Sequence, residues 1–212
     1  MGAESLRLAY GSAPPLERGG LIYGRNALLL NCLTFYTGGD IIELVQYYTD
    51  GRLFYAYIRQ SLSRKLTGSF KLRGAYYKIS QLSDEEKSHG VVACSAGNHA
   101  QGVALASKKF GIKAVICMPD GAPISKVEAT KSYGADVVLV PGVYDDAHNY
   151  AEKLRAEKNY TFIHPFDDDD VIAGQATIGL EIINQLKDVD AIVVPVGGGG
   201  LLSGVAFAVK SL

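Results

Sequence analysis

Residues 66–212 read as an α/β fold in which parallel strands are joined by crossover helices. Two observations predict it. Short runs rich in Val and Ile, or bounded by Gly or Pro, alternate with amphipathic segments of helical length, and that strand–helix alternation is the pattern of parallel sheets with helical crossovers.

Taken in chain order, a polar turn, Thr67-Gly68-Ser69, runs into a helix over 70–81. Ser83 followed by Glu86 three residues later has the spacing of a capping box and predicts a short helical turn. A strand over 90–94 leads through Ser95-Ala96-Gly97-Asn98 into a helix over 99–110. Strands over 113–118 and 135–141 flank a helix over 125–133, and a helix over 145–157 precedes a strand over 161–164. The acidic run Asp167 to Asp170 favours the start of a helix over 170–186, because carboxylates complement the positive end of a helix dipole. The last strand, 191–196, enters four glycines, Gly197 to Gly200, and an apolar helix begins at Leu201.

Composition narrows the partners. Lys and Arg number 21 against 22 Asp and Glu, and no basic run occurs, so the chain offers no field for steering nucleic acid. Cys32, Cys94 and Cys117 form no C-x-x-C pair and have no His at zinc-ligand spacing, which predicts reduced thiols and no metal. No apolar run approaches the roughly 20 residues of a membrane span. A soluble, cytoplasmic protein with a small-molecule partner is expected.

The chain changes character near residue 64. All 13 lysines lie after that point, and before it Val45 is the single valine. Strands need β-branched residues, so residues 1–64 read as an atypical segment of doubtful fold. Residues 66–143 are expected to form a small α/β domain and 144–212 part of a larger one.

Three segments can carry chemistry. Lys71 falls in the first turn of its helix, where the helix dipole disfavours the ammonium form and frees an amine for Schiff-base formation. The plain alternative is a solvated helix lysine. Ser95 to Gly102 follows a strand and opens a helix, placing N–H groups where they can bind an anion such as a carboxylate. Asn98 adds a side chain able to donate to a phenolic oxygen, or simply caps the helix. Gly197 to Gly200 lets the backbone approach a phosphate and direct several N–H groups at it. No G-K-[ST] follows, so this is not a P-loop.

Together, TGSFK, GVVACSAGNHAQGVA, MPDGAP, SKVEATKSYGADVVL, HPFDDDDVIAGQATIGLEI and VPVGGGGLLSG resemble the fold-type II pyridoxal-phosphate (PLP) enzymes, a tryptophan synthase β-like fold. Among these they look most like the biodegradative threonine dehydratases (threonine ammonia-lyases). The resemblance implies that Lys71 carries pyridoxal 5'-phosphate and removes the substrate α-proton, with Phe70 beside the cofactor ring. It implies Asn98 on the cofactor 3-oxygen, Gly197, Gly198, Gly199, Gly200 and Leu201 at its phosphate, and Ser95, Gly97 and His99 around the substrate carboxylate. The implied reaction converts L-threonine to 2-oxobutanoate and ammonia, or L-serine to pyruvate. A homo-oligomer is implied for full-length members.

Two departures accompany the likeness. Where the family has a strand with an acidic residue and an asparagine before TGSFK, this chain reads Ser61-Leu62-Ser63-Arg64-Lys65, as unrelated or frame-shifted sequence would. The chain also ends at Leu212, within the helix after the glycines, so an incomplete large domain is expected. An inactive fragment and a serine racemase-like activity are the alternative readings.

Overall fold

The computed structural model describes residues 20–23, 34–37, 40–49, 52–58, 66–186, 189 and 191–212, with side chains from Leu66 onward. The Ser61 to Lys65 stretch, read as lacking the family's strand, and Cys32 lie outside the described residues.

Among the described residues, four strands come before residue 66: β1 (Gly20–Tyr23), β2 (Thr34–Thr37), β3 (Asp40–Thr49) and β4 (Arg52–Ile58). β2, β3 and β4 form an antiparallel meander. These strands thus pair in the opposite sense from the β5–β8 sheet that follows.

From Lys71 the order is α1 (Lys71–Gln81), α2 (Asp84–His89), β5 (Val91–Cys94), α3 (Asn98–Phe110), β6 (Ala114–Pro119), α4 (Ile124–Ser132), β7 (Asp136–Val140), α5 (Tyr144–Lys158), β8 (Thr161–Phe162), α6 (Asp169–Gln185), β9 (Ile192–Pro195) and α7 (Gly200–Lys210). Every element from residue 66 occurs within one or two residues of its expected start or end. Within that margin, β7, β8 and β9 are each shorter than expected. The capping box at α2 is present in both directions, Ser83 N–H donating to Glu86 Oε2 at 2.8 Å and Glu86 N–H to Ser83 Oγ at 3.2 Å. Asp168 caps α6 by accepting from Val171 N–H at 3.0 Å, as the acidic run predicted.

β5 to β8 form one parallel sheet ordered β7-β6-β5-β8. Side chains alternate across a strand, and the core divides accordingly. Val91, Ala93, Ile116 and Met118 face α1, α3 and α4, whereas Val92, Cys94, Val115 and Cys117 face Ala147 and Ala151 of α5. Both faces are covered, so these strands read as uninterrupted apolar runs. The sequence-based division at Val143 cuts this layer, since α5 and β8, which follow it, complete the same sheet. Cys94 and Cys117 are free, buried register partners, and burial pushes their thiols up to about 11 and about 12, respectively.

A second core lies among α6, α7 and β9, where Ile178, Ile182, Val194 and Val205 pack with Phe70, Leu201 and Leu202. β9 pairs antiparallel with β1. α1 joins the two cores. Gly74 on α1 and Gly174 on α6 meet so closely that a Cβ on Gly174 would lie 2.6 Å from the Gly74 Cα. Arg73 of α1 forms a two-point pair with Glu181 of α6 at 2.7 and 2.9 Å, and Lys78 bridges Asp168 and Asp170 at 2.9 and 3.0 Å. Among the described residues, no helix is long and apolar enough to cross a membrane.

Candidate active site

Lys71 is the first residue of α1, with Phe70 at the N-cap. Its backbone N–H donates to Ser69 Oγ at 3.3 Å, which holds the turn, and its Nζ donates to the Pro165 carbonyl at 2.5 Å. Burial pushes the amine below its ordinary lysine value. The solvated-lysine alternative therefore does not describe this side chain. Its Nζ lies 5.5 Å from the Phe70 ring centre and 5.9 Å from that of Phe166.

The position of Lys71 is set from behind by α3. A Cβ on Gly102 would come within 3.1 Å of the Leu72 nitrogen and of the Lys71 carbonyl carbon. Only a residue without a side chain allows this backbone-to-backbone approach.

The Ser95–Asn98 turn sits at the carboxyl end of β5. Ser95 Oγ accepts from Gly97 N–H at 3.2 Å. Gly97 is the N-cap of α3 and Asn98 its first helical residue, with no side-chain cap bond. The capping alternative for Asn98 is thereby removed, and its side chain is exposed. A Cβ on Gly97 would meet nothing within 4 Å, so open space adjoins the turn.

His99, expected near the substrate carboxylate, is buried at the head of α3. It is 3% exposed, its Nε2–H donates to the Ile163 carbonyl at 2.8 Å, and its Nδ1 is buried without a partner. Burial pushes it down to about 4, despite the opposing hydrogen bond to Ile163, so the ring is neutral near pH 7. Its one proton is committed to Ile163. His99 thus braces the segment that follows β8.

The glycine turn has two unlike sides. A Cβ on Gly198 would collide with the Phe166 ring at 2.3 Å, and one on Gly200 would lie 2.6 Å from the Phe166 carbonyl oxygen. Gly197 and Gly199 face open space, and Gly199 has φ of +90°, a conformation that side chains rarely adopt. Leu201 packs with Phe70 into the α6–α7 core, so the helix that follows the glycines is anchored to the turn that carries Lys71.

What gathers the three motifs is the short segment after β8. Ile163 meets His99, Pro165 meets Lys71, and Phe166 meets the glycine turn. Pro165 and Phe166 were not singled out from the sequence, although HPF lies in a quoted motif. A Pro-Phe pair carries no titratable group, and only its contacts reveal it.

These residues fit PLP: a half-buried amine of lowered basicity, an exposed asparagine, and a glycine turn closed on one side and open on the other. Comparison with known proteins agrees. A family model described as pyridoxal-phosphate dependent enzyme matches residues 57–212, and the chain belongs to that family. The L-threonine ammonia-lyase of Thermotoga maritima is 58% identical over 146 residues, 69% of this chain and 36% of that protein. The catabolic L-threonine dehydratase TdcB of Staphylococcus aureus is 54% identical over 147 residues, 69% of this chain and 42% of that protein. Among solved structures, processed threonine deaminase isoform 2 of Solanum lycopersicum matches at 45% identity and TM-score 0.68, covering 75% of this chain and 43% of that one. Maize serine racemase matches at 42% identity and TM-score 0.65, covering 68% and 44%. The chain thus spans roughly two-fifths of the curated relatives it matches.

Proposed function

We propose that this chain supplies the lysine, asparagine and glycine-turn portion of a threonine ammonia-lyase site, which deaminates L-threonine to 2-oxobutanoate and ammonia and also accepts L-serine. The observation that carries the reading is the convergence of Lys71, the α3 turn and the glycine turn on residues 163–166. PLP, when bound, supplies the electron sink that makes an amino-acid α-proton removable.

The protein's own part is to hold and move protons. A depressed Lys71 pKa leaves more of the amine unprotonated near neutrality, available both to attach the cofactor and to accept the substrate α-proton at Nζ. Asn98, exposed at the head of α3, would bond the cofactor 3-oxygen, while Ser95 and Gly97 would meet the substrate carboxylate. N–H groups of the turn Gly197 to Gly200 and of Leu201 would hold the phosphate at the head of α7. Phe70, fixed in the α6–α7 core, would lie beside the cofactor ring.

The domain boundary that suits this reading falls after β8, giving a small unit from Leu66 to about Phe162 and a partial large unit from α6 onward. The site lies at their junction. A homo-oligomer is proposed for the complete protein, with a small amino acid as its ligand and the cytoplasm as its location.

The test compares absorbance spectra of wild type and Lys71→Ala titrated with PLP, followed by borohydride reduction and peptide mapping. A visible band present in wild type, absent in the variant and mapped to Lys71 supports the site, and 2-oxobutanoate release from threonine then tests the reaction. A folded wild type that takes up no cofactor would favour the inactive-fragment reading. The likeness to maize serine racemase makes D-serine formation the second product to assay.

A further inference from the structure

Phe166 touches both halves of the site at once. Its ring lies flat against the Cα of Gly198, where an added Cβ would sit 2.3 to 2.5 Å from three ring carbons. Its backbone closes on Gly200, and its ring centre is 5.9 Å from Lys71 Nζ. The adjoining Pro165 carbonyl accepts a hydrogen bond from Lys71 Nζ at 2.5 Å. Phe166 is itself pinned by His164. The Nδ1 of His164 accepts from the backbone N–H of Phe166 at 3.3 Å and of Asp167 at 2.7 Å, and the two rings meet edge to face, 83° apart with centres 4.7 Å distant. Behind that, Ile163 is held by His99 at 2.8 Å.

A ligand that attaches to an amine at one end and carries a phosphate at the other needs those two anchoring points at a fixed separation. Glycines alone cannot supply it, because a turn of four glycines has wide conformational freedom. A rigid aromatic ring packed on the closed side of the turn removes that freedom and leaves Gly197 and Gly199 facing open space.

We propose that Phe166 is a positioning residue, held by His164, that braces the glycine turn at a set distance from Lys71 and thereby confers preference for a phosphorylated aldehyde over its unphosphorylated counterpart. This rests on the cofactor reading given above. The prediction is selective, since the brace acts on the phosphate end and leaves amine chemistry at Lys71 in place.

The experiment titrates the full chain with pyridoxal 5'-phosphate and with pyridoxal, following absorbance, for wild type, Phe166→Ala, Phe166→Leu, Phe166→Tyr, His164→Ala and His164→Asn. Circular dichroism and melting confirm that each variant is folded. Phe166→Ala should lose at least about tenfold of the preference for the phosphorylated aldehyde while pyridoxal affinity stays nearly constant. Phe166→Tyr, which keeps the ring, should retain the preference. Asn at 164 can accept the same two N–H groups through Oδ1, so His164→Asn should rescue what His164→Ala loses. If Phe166→Ala does not fold, Phe166→Leu, which keeps bulk and removes the flat ring, takes its place. An unchanged preference, or equal loss for both aldehydes, overturns the proposal while the cofactor reading stands. If wild type takes up neither aldehyde, the cofactor reading fails and phosphorus-31 line broadening with inorganic phosphate decides. Phosphate binding that is lost in the Phe166 variant retains the brace, and no phosphate binding, or binding that the variant leaves intact, overturns it.

Discussion

Lys71 Nζ donates to the carbonyl of Pro165 at 2.5 Å, across 94 positions of sequence. One bond joins the head of α1 to the segment leaving the parallel sheet, and it holds the amine in a half-buried place. Because burial lowers its pKa, Lys71 should react with acetic anhydride at a lower pH than the exposed Lys109. Mass-spectrometric quantification of each acetylated peptide against pH would check this. Coincident profiles for the two lysines would contradict it.

Gly102 should be intolerant of a methyl group. Gly102→Ala places a Cβ against the backbone of Lys71 and Leu72 at 3.1 Å, and overpacking of this kind costs about 1–3 kcal/mol. Gly121→Ala, where a Cβ meets nothing within 4 Å, should change stability by less than about 0.5 kcal/mol. Urea denaturation of both variants separates a steric effect at the α1–α3 crossing from a general intolerance of glycine replacement.

Stability should fall with acid through His99. Its folded value, about 4, lies below the unfolded value near 6.5. The folded state thus resists protonation, and this contribution is complete above the unfolded value and lost as pH falls towards about 4. Lys71 and His164, whose charges also disfavour its protonation, act in the same direction. His164, lowered chiefly by burial and opposed by Asp167 and Asp168, adds a slope of the same sign. Denaturant midpoints measured from pH 7.5 to 4.5 should drop, and His99→Gln should flatten part of the slope. Parallel curves would exclude His99 as a source.

The Arg73–Glu181 pair should matter more than the surface pairs. Arg73 is only 13% exposed in its side chain and also reaches Thr177 at 3.0 Å. Glu181→Gln removes the charge partner of a mostly buried guanidinium and should cost about 1–3 kcal/mol. Glu128→Gln, which breaks the exposed pair with Lys131, should cost less than about 1 kcal/mol. Thermal melts of the two variants check the ranking.

Much of the fold was legible from residue 66 onward because its signals are local. The Ser83–Glu86 capping box and the Asp168 cap satisfy backbone groups within three residues, and such short-range chemistry is written directly in sequence. Burial on both sheet faces turned β5 and β6 into unbroken apolar runs, which also need no partner to be read. The apolar runs at β7, β8 and β9 each extend two residues beyond the strand, since pairing with a neighbouring strand, and not apolar character, decides where a strand ends. The sequence placed a boundary at Val143 without sight of strand order. That β8 returns to β5 instead of starting a new layer is a matter of strand order, and no local residue pattern encodes it.

Lys71, Asn98 and the glycines were legible as types of residue in types of turn: a lysine opening a helix, a polar side chain after a strand, and four small residues before an apolar helix. By itself, the sequence determined those chemistries and the α/β class, since both follow from periodicity and from what each side chain can donate, accept or leave open. Only the tertiary structure decided that His99 is committed to Ile163, that Asn98 caps nothing, and that Pro165 and Phe166 hold the amine and the glycine turn together. Those facts depend on atoms brought within about 3–6 Å across as many as 94 residues of chain, by burial of apolar faces that are indifferent to which polar groups they bring together.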